Sequence, residues 1–327
     1  MYTQPIAIRS VLDPKYLKYC LSEQYSIGDW MECLYWLKGL NDTYKIHTLS
    51  GSYILRLYRL GISESDVSYE LSTLVQLADI LSTGRTKVSR PVCKKDDRLY
   101  TVIDAPEGPR VAVIFEYVRG TENVLHDVES CFAFGQSAAA LHVAMDQVVV
   151  DQPHRYQLGT EFLINQPLDR IVQYIGEKHE AVPFLSEYAA ELKARIHDAA
   201  GRGLDWGLCH GDMHGNNNVF QIGHHFIHYD FEFTAKGWRA YDLAQVKARK
   251  RQPAKDMQQE LWDSLLTGYR SIRSFSDLDE HAIDLFIGAR RFWVMSLDVA
   301  FIHNDSGALD YGEDWLNSFV EEFRMRT

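Results

Sequence analysis

The sequence predicts an α+β chain of two lobes, a small one built on an antiparallel sheet followed by a larger, mainly helical one. Three observations carry this. Residues 1–115 hold closely spaced runs of aromatic and β-branched residues separated by turn formers. Beyond them, most segments repeat apolar residues at helical spacing. Between the two, Glu116-Tyr117-Val118-Arg119-Gly120 runs from an apolar strand into a flexible turn. A hinge fits there, with residues 1–115 as a first lobe and residues 116–327 as the hinge and second lobe.

In chain order, Pro14 to Glu23 predicts an opening helix. Met31 to Leu37, Tyr44 to Leu49 and Tyr53 to Tyr58 read as strands, with Gly39-Leu40-Asn41-Asp42 and Ser50-Gly51 as the turns between them. From Asp66 a helix begins in which Val67, Leu71, Leu74, Ala78 and Leu81 share one side, with Glu70 at the flank of that stripe. Arg90 to Cys93 and Val111 to Tyr117 complete the predicted strands of the first lobe. In the second lobe, Val128 to Met145, Pro167 to Glu177, Val182 to Ala199, Asp256 to Tyr269 and His281 to His303 predict helices, and short strands lie around Val219 to Phe233.

Composition narrows the function classes. The 327 residues are 46% hydrophobic and 24% charged, an ordinary globular balance that can fill a substantial core. Asp and Glu total 45 against 34 Lys and Arg, a formal net charge of -11, so nucleic-acid binding would need a local basic stripe. The densest basic run, Lys247 to Arg251, reads as a solvated helix end, and no nucleic-acid partner is expected. No apolar run reaches membrane-spanning length, and Pro5, Arg9, Asp13 and Pro14 interrupt the region a signal sequence would need. Five cysteines without paired metal-ligand spacing fit a reducing compartment, so the expected location is the cytoplasm.

The chemistry concentrates between Leu208 and Phe233, in LCHGDMHGNNNVFQIGHHFIHYDFEF. Asp212, Asn217 and Asp230 lie in a stretch that reads loop, strand, turn, strand. Two carboxylates and an amide are hard oxygen donors, suited to a Mg²⁺ ion whose remaining positions a nucleotide phosphate can fill. Asp212 is then free to orient a hydroxyl and take its proton. Asp, Asn, His and Gly are also common turn formers, and short-range spacing by itself leaves a structural loop equally open. A zinc hydrolase built on His210, Asp212, His214, His224, His225 and His228 is a weaker reading, because HGDMH does not reproduce the HExxH zinc helix. Ser137, Ser186 and Ser264 lack a nucleophile-elbow context, and Cys209 beside His210 is no sign of a catalytic pair.

The chain resembles the aminoglycoside phosphotransferase and choline kinase-like superfamily. LNDTYKI, LRLYR, the hinge, Leu141-His142, HGDMHGNN and Tyr241-Asp242-Leu243-Ala244 carry the resemblance over nearly the whole sequence. The subset it is most similar to includes type II homoserine kinases and the bacterial stress response kinase. The resemblance implies a bilobed protein-kinase-like fold, with Asp212 as catalytic base, Asn217 and Asp230 as metal ligands, and His210 and Asp242 supporting the loop. It also implies that Arg56 stands where many relatives have a phosphate-contacting lysine, with Glu70 as its partner. Arginine keeps the charge but presents a planar fork at a different reach. Phe231-Glu232-Phe233 follows Asp230 where protein kinases have Phe-Gly, so no protein-kinase activation switch is implied.

Adenine is expected against Leu40 and Ile54, with the backbone of Glu116, Tyr117 and Val118 supplying directional hydrogen bonds. Trp206, His214, Glu232 and Trp238 are the candidates for the acceptor pocket, where a carboxylate near an aromatic wall suits an ammonium group. The expected activity is ATP- and Mg²⁺-dependent transfer of a phosphoryl group to a hydroxyl of a small polar metabolite, an amino alcohol among the candidates. A protein Ser/Thr kinase of the stress-response type and a noncatalytic nucleotide-binding protein remain the alternatives. Neither the acceptor nor the oligomeric state is assigned by the sequence.

Overall fold

Two compact units, interleaved along the chain, make up the computed structural model, which describes residues 7–122, 124–149, 156–221, 225–249, 257–302 and 307–326. Unit 1 comprises Met1–Glu122, Val148–Gln152 and Asn218–Glu232, and unit 2 comprises Asn123–Gln147, Pro153–Asn217 and Phe233–Thr327. The α+β class is as the sequence predicts, with an antiparallel sheet dominating the first unit and helices the second.

Unit 1 begins with helix α1 (Pro14–Leu21), which Asp13 caps by accepting from the Lys15 amide at 2.7 Å and which Pro14 starts at a position needing no donor. Strands β1 (Trp30–Lys38), β2 (Asp42–Thr48) and β3 (Ser52–Leu57) follow, then helix α2 (Glu64–Ile80) and strands β4 (Thr86–Val88), β5 (Thr101–Ala105) and β6 (Gly108–Glu116). Five of these strands form one sheet in the order β1-β2-β3-β6-β5, antiparallel throughout. Alternation sends Tyr44, Ile46, Leu55 and Leu57 into a core closed by Leu17, Leu21, Trp30 and Ile114. The opposite face of β3 carries Ile54 and Arg56, which stand beside Lys45 and Thr43 of β2 and Phe115 and Val113 of β6.

The late segment of unit 1 is a hairpin, β8 (Asn218–Gln221) and β9 (His225–His228), and β9 pairs in parallel with β4. This pairing carries Asp230, more than a hundred residues downstream of β6, back into the first unit. Residues 86–88 form the strand expected at Arg90 to Cys93. Pro91 there makes only an isolated bridge to Phe115, since proline cannot donate to a ladder. Strand β5, with its polar Asp104 and short length, escaped the pattern reading.

In unit 2, β7 (Trp206–Cys209) and β10 (Ala235–Trp238) form a two-stranded sheet that residue pattern did not announce. Helices α3 (Val128–Met145), α4 (Gln166–Ile175), α5 (Ala181–Gly201), α6 (Arg239–Lys247), α7 (Gln258–Arg270), α8 (Asp277–Phe301) and α9 (Glu313–Arg324) supply the rest. Of these, α9 was not expected. Helix α8 begins one turn before His281 because Ser276 and Asp279 form a capping box. Helices α3 and α7 cross in near backbone contact. A Cβ on Gly135 would lie 1.9 Å from the Leu265 carbonyl oxygen, and one on Gly268 would lie 2.0 Å from that of Phe132. Only glycine allows this approach, which brings His142 of α3 to Tyr269 of α7. Asp256, Lys250, Arg251, His224 and His303 lie outside the described residues, as does the side chain of His225.

Candidate active site

Arg56 of β3 points from the sheet into a group of carboxylates contributed by unit 1. Its Nη1 lies 3.3 Å from Glu70 Oε1 and 2.9 Å from Asp230 Oδ1. Glu70 is carried by α2, whose first turn Ser63 caps and whose buried stripe of Val67, Leu71, Leu74 and Leu77 fixes the helix. Its second oxygen accepts from the Tyr58 hydroxyl at 2.8 Å. Burial, then the nearby Glu232 and Asp230 charges, push the Glu70 carboxyl up to about 7, although Arg56 opposes the shift. Burial works against the Arg56 charge, but the carboxylates of Asp230, Glu70 and Glu232 more than restore it, so the guanidinium is held firmly charged.

Asp230 follows β9 with φ at 67°, a left-handed backbone that a non-glycine residue adopts only under local constraint. Its side chain remains a third exposed. Two residues on, the buried Glu232 pairs with Arg59 and accepts from Asn41 Nδ2 at 2.5 Å. Asn41 in turn accepts the Arg59 amide at 2.9 Å, so the GLNDT turn is tied down by its own side chain. Sequence reasoning put Glu232 with the acceptor pocket, and the structure puts it in unit 1 against this turn.

Leu40 and Ile54 are both half-buried. In the hinge stretch the Glu116 amide donates to the Arg90 carbonyl at 2.9 Å and the Tyr117 amide to the Ser52 carbonyl at 3.3 Å. Val118 is therefore the residue of the three whose backbone is uncommitted among the described residues. The Lys45 ammonium lies over the Tyr117 ring, 4.1 Å from its centroid, and over the Trp36 ring at 4.5 Å.

In unit 2, β7 delivers the chain into His210-Gly211-Asp212. Gly211 sits at φ +81°, and a Cβ there would lie 2.1 Å from the Phe233 carbonyl oxygen. Asp242, in the first turn of α6, accepts from the His210 amide at 2.7 Å and the Gly211 amide at 2.9 Å, one through each oxygen. Behind it, His142 Nε2 lies 3.1 Å from Asp242 and His142 Nδ1 lies 2.7 Å from the Tyr269 hydroxyl. Burial lowers the His142 pKa and keeps the ring neutral, so it acts as a hydrogen-bond donor to Asp242. Burial also opposes charge on Asp242, but the His142 hydrogen bond and the loop amides outweigh it and hold the carboxyl low.

Asp212 is 9% exposed, and its two oxygens are separately engaged. Oδ1 receives Nη2 of Arg290. Oδ2 accepts from Asn217 Nδ2 at 2.9 Å and lies 3.4 Å from His214 Nε2. Burial raises the cost of its charge, but Arg290, then His214 and His210, overcome it and hold Asp212 well below the usual carboxylate range. With Nδ2 of Asn217 committed to Asp212, the atom that amide offers to a cation is its oxygen. His210 Nδ1 accepts from the Asp212 amide at 3.2 Å and His214 Nδ1 from the Asn216 amide at 3.2 Å, so both rings serve the loop. Among the described residues no group of three or more His, Cys, Asp or Glu is disposed to hold a metal, as the zinc alternative requires. Burial pushes the Cys209 thiol far up, away from thiolate chemistry. Trp206 and Trp238 face one another across β7 and β10 as an edge-to-face pair, with centroids 4.8 Å apart. No helix of the described residues is long and apolar enough to cross a membrane.

Sequence reasoning missed Arg290. Its signal was present: a cation on the same face of α8 as the buried Phe286 and Trp293 is out of place on an apolar stripe.

The model of the phosphotransferase enzyme family matches residues 38–275. An uncharacterised protein of Deinococcus radiodurans is 36% identical over 298 residues, 89% of this chain and 83% of its own length. A homoserine kinase of Neisseria meningitidis serogroup B is 25% identical over 84% of this chain and 85% of its own. Among solved structures, amicoumacin kinase hAmiN in complex with AMP-PNP, Ca²⁺ and Ami has the same fold, with a TM-score of 0.74 at 17% identity over 97% of this chain and 94% of its own. The family match takes in Arg56, Glu70, Asp212, Asn217, Asp230 and Asp242 together, and the chain belongs to the phosphotransferase enzyme family.

Proposed function

We propose that the protein transfers the terminal phosphoryl group of ATP, with Mg²⁺, to a hydroxyl of a small polar metabolite, with hydroxy amino acids and amino alcohols as the first class to test. The observation that carries this is Asp212. It is an ionised, nearly buried carboxylate whose two oxygens are held in place on a loop that Asp242 pins from behind. A carboxylate fixed in this way accepts a hydrogen bond from an acceptor hydroxyl and orients its oxygen for attack on phosphorus, and it takes the proton as the new P–O bond forms. Its low pKa makes orientation the larger contribution and proton removal the smaller one.

Arg56 holds the nucleotide phosphates, and Glu70 fixes the guanidinium fork from behind. Asn217 and Asp230 are the residues suited to Mg²⁺. The amide oxygen of Asn217 is turned away from Asp212, and Asp230 presents an accessible carboxylate, so each offers a hard oxygen donor. The metal, when bound, neutralises charge on the phosphate oxygens. Leu40, Ile54 and the Val118 backbone receive the base. The homoserine kinase and the nucleotide-bound amicoumacin kinase support an ATP-dependent reaction on a hydroxyl compound.

The test is transfer of label from γ-³²P-ATP with Mg²⁺ across L-homoserine, amino alcohols, sugars, aminoglycosides and a Ser/Thr peptide. Labelled small-molecule product is the expected result. Label found only on peptide or protein overturns the small-metabolite assignment, and nucleotide binding without any product overturns the phosphotransferase reading.

A further inference from the structure

Resting on that reading, we infer that Arg290 is a positioning residue of the reaction. It fixes the Asp212 carboxylate in the orientation from which it meets the acceptor hydroxyl. Arg290 stands in the middle of α8, and its guanidinium lies over the Trp293 ring, 4.2 Å from the centroid. Nη1 donates to the Tyr241 hydroxyl at 3.2 Å and lies 3.5 Å from the Gly211 carbonyl oxygen, and Nη2 donates to Asp212 Oδ1. The ring contact and the three polar contacts together orient the fork toward Asp212.

Asp212 is therefore gripped from two sides. Arg290 holds Oδ1, and Asn217 holds Oδ2. Rotation of the carboxylate about χ2 would break both contacts at once. Removal of Arg290 leaves Oδ2 tethered and Oδ1 free to swing.

Stability alone does not call for a guanidinium here. An apolar side chain of similar length would pack on Trp293 and Tyr241 without the desolvation cost of a buried ion pair, which is often neutral or unfavourable overall. What the arginine adds is a directed, charge-assisted hydrogen bond onto one chosen oxygen of Asp212. Its contacts with the Gly211 carbonyl and Tyr241 also tie that oxygen to the loop and to α6, so base, loop and helix share one reference point.

The polar partners of Arg290 are Asp212, Gly211 and Tyr241, all of unit 2, so its loss should appear in turnover and leave nucleotide binding alone. We would measure kcat, KM for ATP and KM for acceptor with L-homoserine, 3-amino-1-propanol and ethanolamine, together with acceptor-free hydrolysis of MgATP. The proteins are the wild type and Arg290→Met, Arg290→Lys and Arg290→Ala, each with its Tm. Arg290→Met is expected to lower kcat roughly 10- to 100-fold with KM for ATP within about twofold. Arg290→Lys should fall between, because an ammonium supplies charge without the fork. Free guanidinium at sub-denaturing concentration should restore part of the kcat of Arg290→Ala, which a purely structural role would not allow. Wild-type kcat in Arg290→Met, or a loss in every variant that follows lowered Tm and resists guanidinium, overturns the assignment. A wild type that turns over MgATP with neither water nor any acceptor overturns the phosphotransferase reading itself.

Discussion

His142 and Asp242 meet through a 3.1 Å hydrogen bond at zero solvent exposure, and the Asp242 carboxylate then receives the two amides that begin the Asp212 loop. The chain of contacts runs from the α3–α7 crossing, through a neutral imidazole and an ionised carboxylate, to the backbone of His210 and Gly211. Asp242→Asn should break it, because one oxygen becomes an NH₂ facing an amide donor. A buried donor left opposite another donor costs about 2–5 kcal/mol. Calorimetry should show a lower Tm, and transfer assays a loss of turnover. Unchanged values of both would show that the loop does not depend on this carboxylate.

Gly211→Ala isolates the loop from its buttress. The left-handed backbone alone costs about 1–3 kcal/mol for a residue with a Cβ. The added carbon would also collide with the Phe233 carbonyl, so the loop must move. Turnover should collapse while ATP binding, followed by isothermal titration, stays near wild type. Full activity would mean that the backbone at this position is not strained.

Asp212→Asn and Asp230→Asn should separate the two ends of the reaction. The first is expected to reduce kcat by roughly 10²–10⁴-fold with ATP affinity preserved. The second exchanges a charged oxygen ligand for a neutral amide and takes the negative charge from the 2.9 Å contact with Arg56, so Mg²⁺-dependent ATP binding should fall along with turnover. Equal effects of both substitutions on ATP binding would refute the division of roles.

Much of this arrangement was legible because its parts are local. HGDMHGNN reports a loop through its glycines and polar run, and in Tyr53-Ile54-Leu55-Arg56-Leu57 the period of a strand sets Arg56 on the face opposite Leu55 and Leu57. The less legible parts depend on pairings distant in sequence. The partnership of β4 with β9 joins segments about 140 residues apart, and neither is long enough to display a period. Arg290 approaches Asp212 across 78 residues, and Glu232 meets Asn41 across 191. The sequence counts Glu232 among the acceptor-pocket candidates. That it would turn toward Arg59 and the GLNDT turn follows from the local fold around Asp230, which residue types do not announce.

The last prediction concerns pH. Glu70 has its carboxyl pushed up to about 7 from an ordinary 4.5, so the folded protein retains a proton that the unfolded chain releases between those values. Stability from this group is therefore fully present below about pH 4.5 and is lost as pH rises through about 7, on the order of 3 kcal/mol in all. Other buried groups run the opposite way. Asp212 and Asp242 are held low, so their contributions disappear only in strong acid, and His142, kept neutral by burial, weakens the fold as pH drops below its ordinary range. The difference between wild type and Glu70→Gln removes these common terms. The amide holds the uncharged form at every pH and can still accept from the Tyr58 hydroxyl. Glu70→Gln should thus unfold near the wild-type Tm at pH 5 and above it at pH 8. A gap that is constant with pH, or one that reverses, would show that Glu70 is already ionised in the folded protein at pH 5, with Arg56 winning over burial.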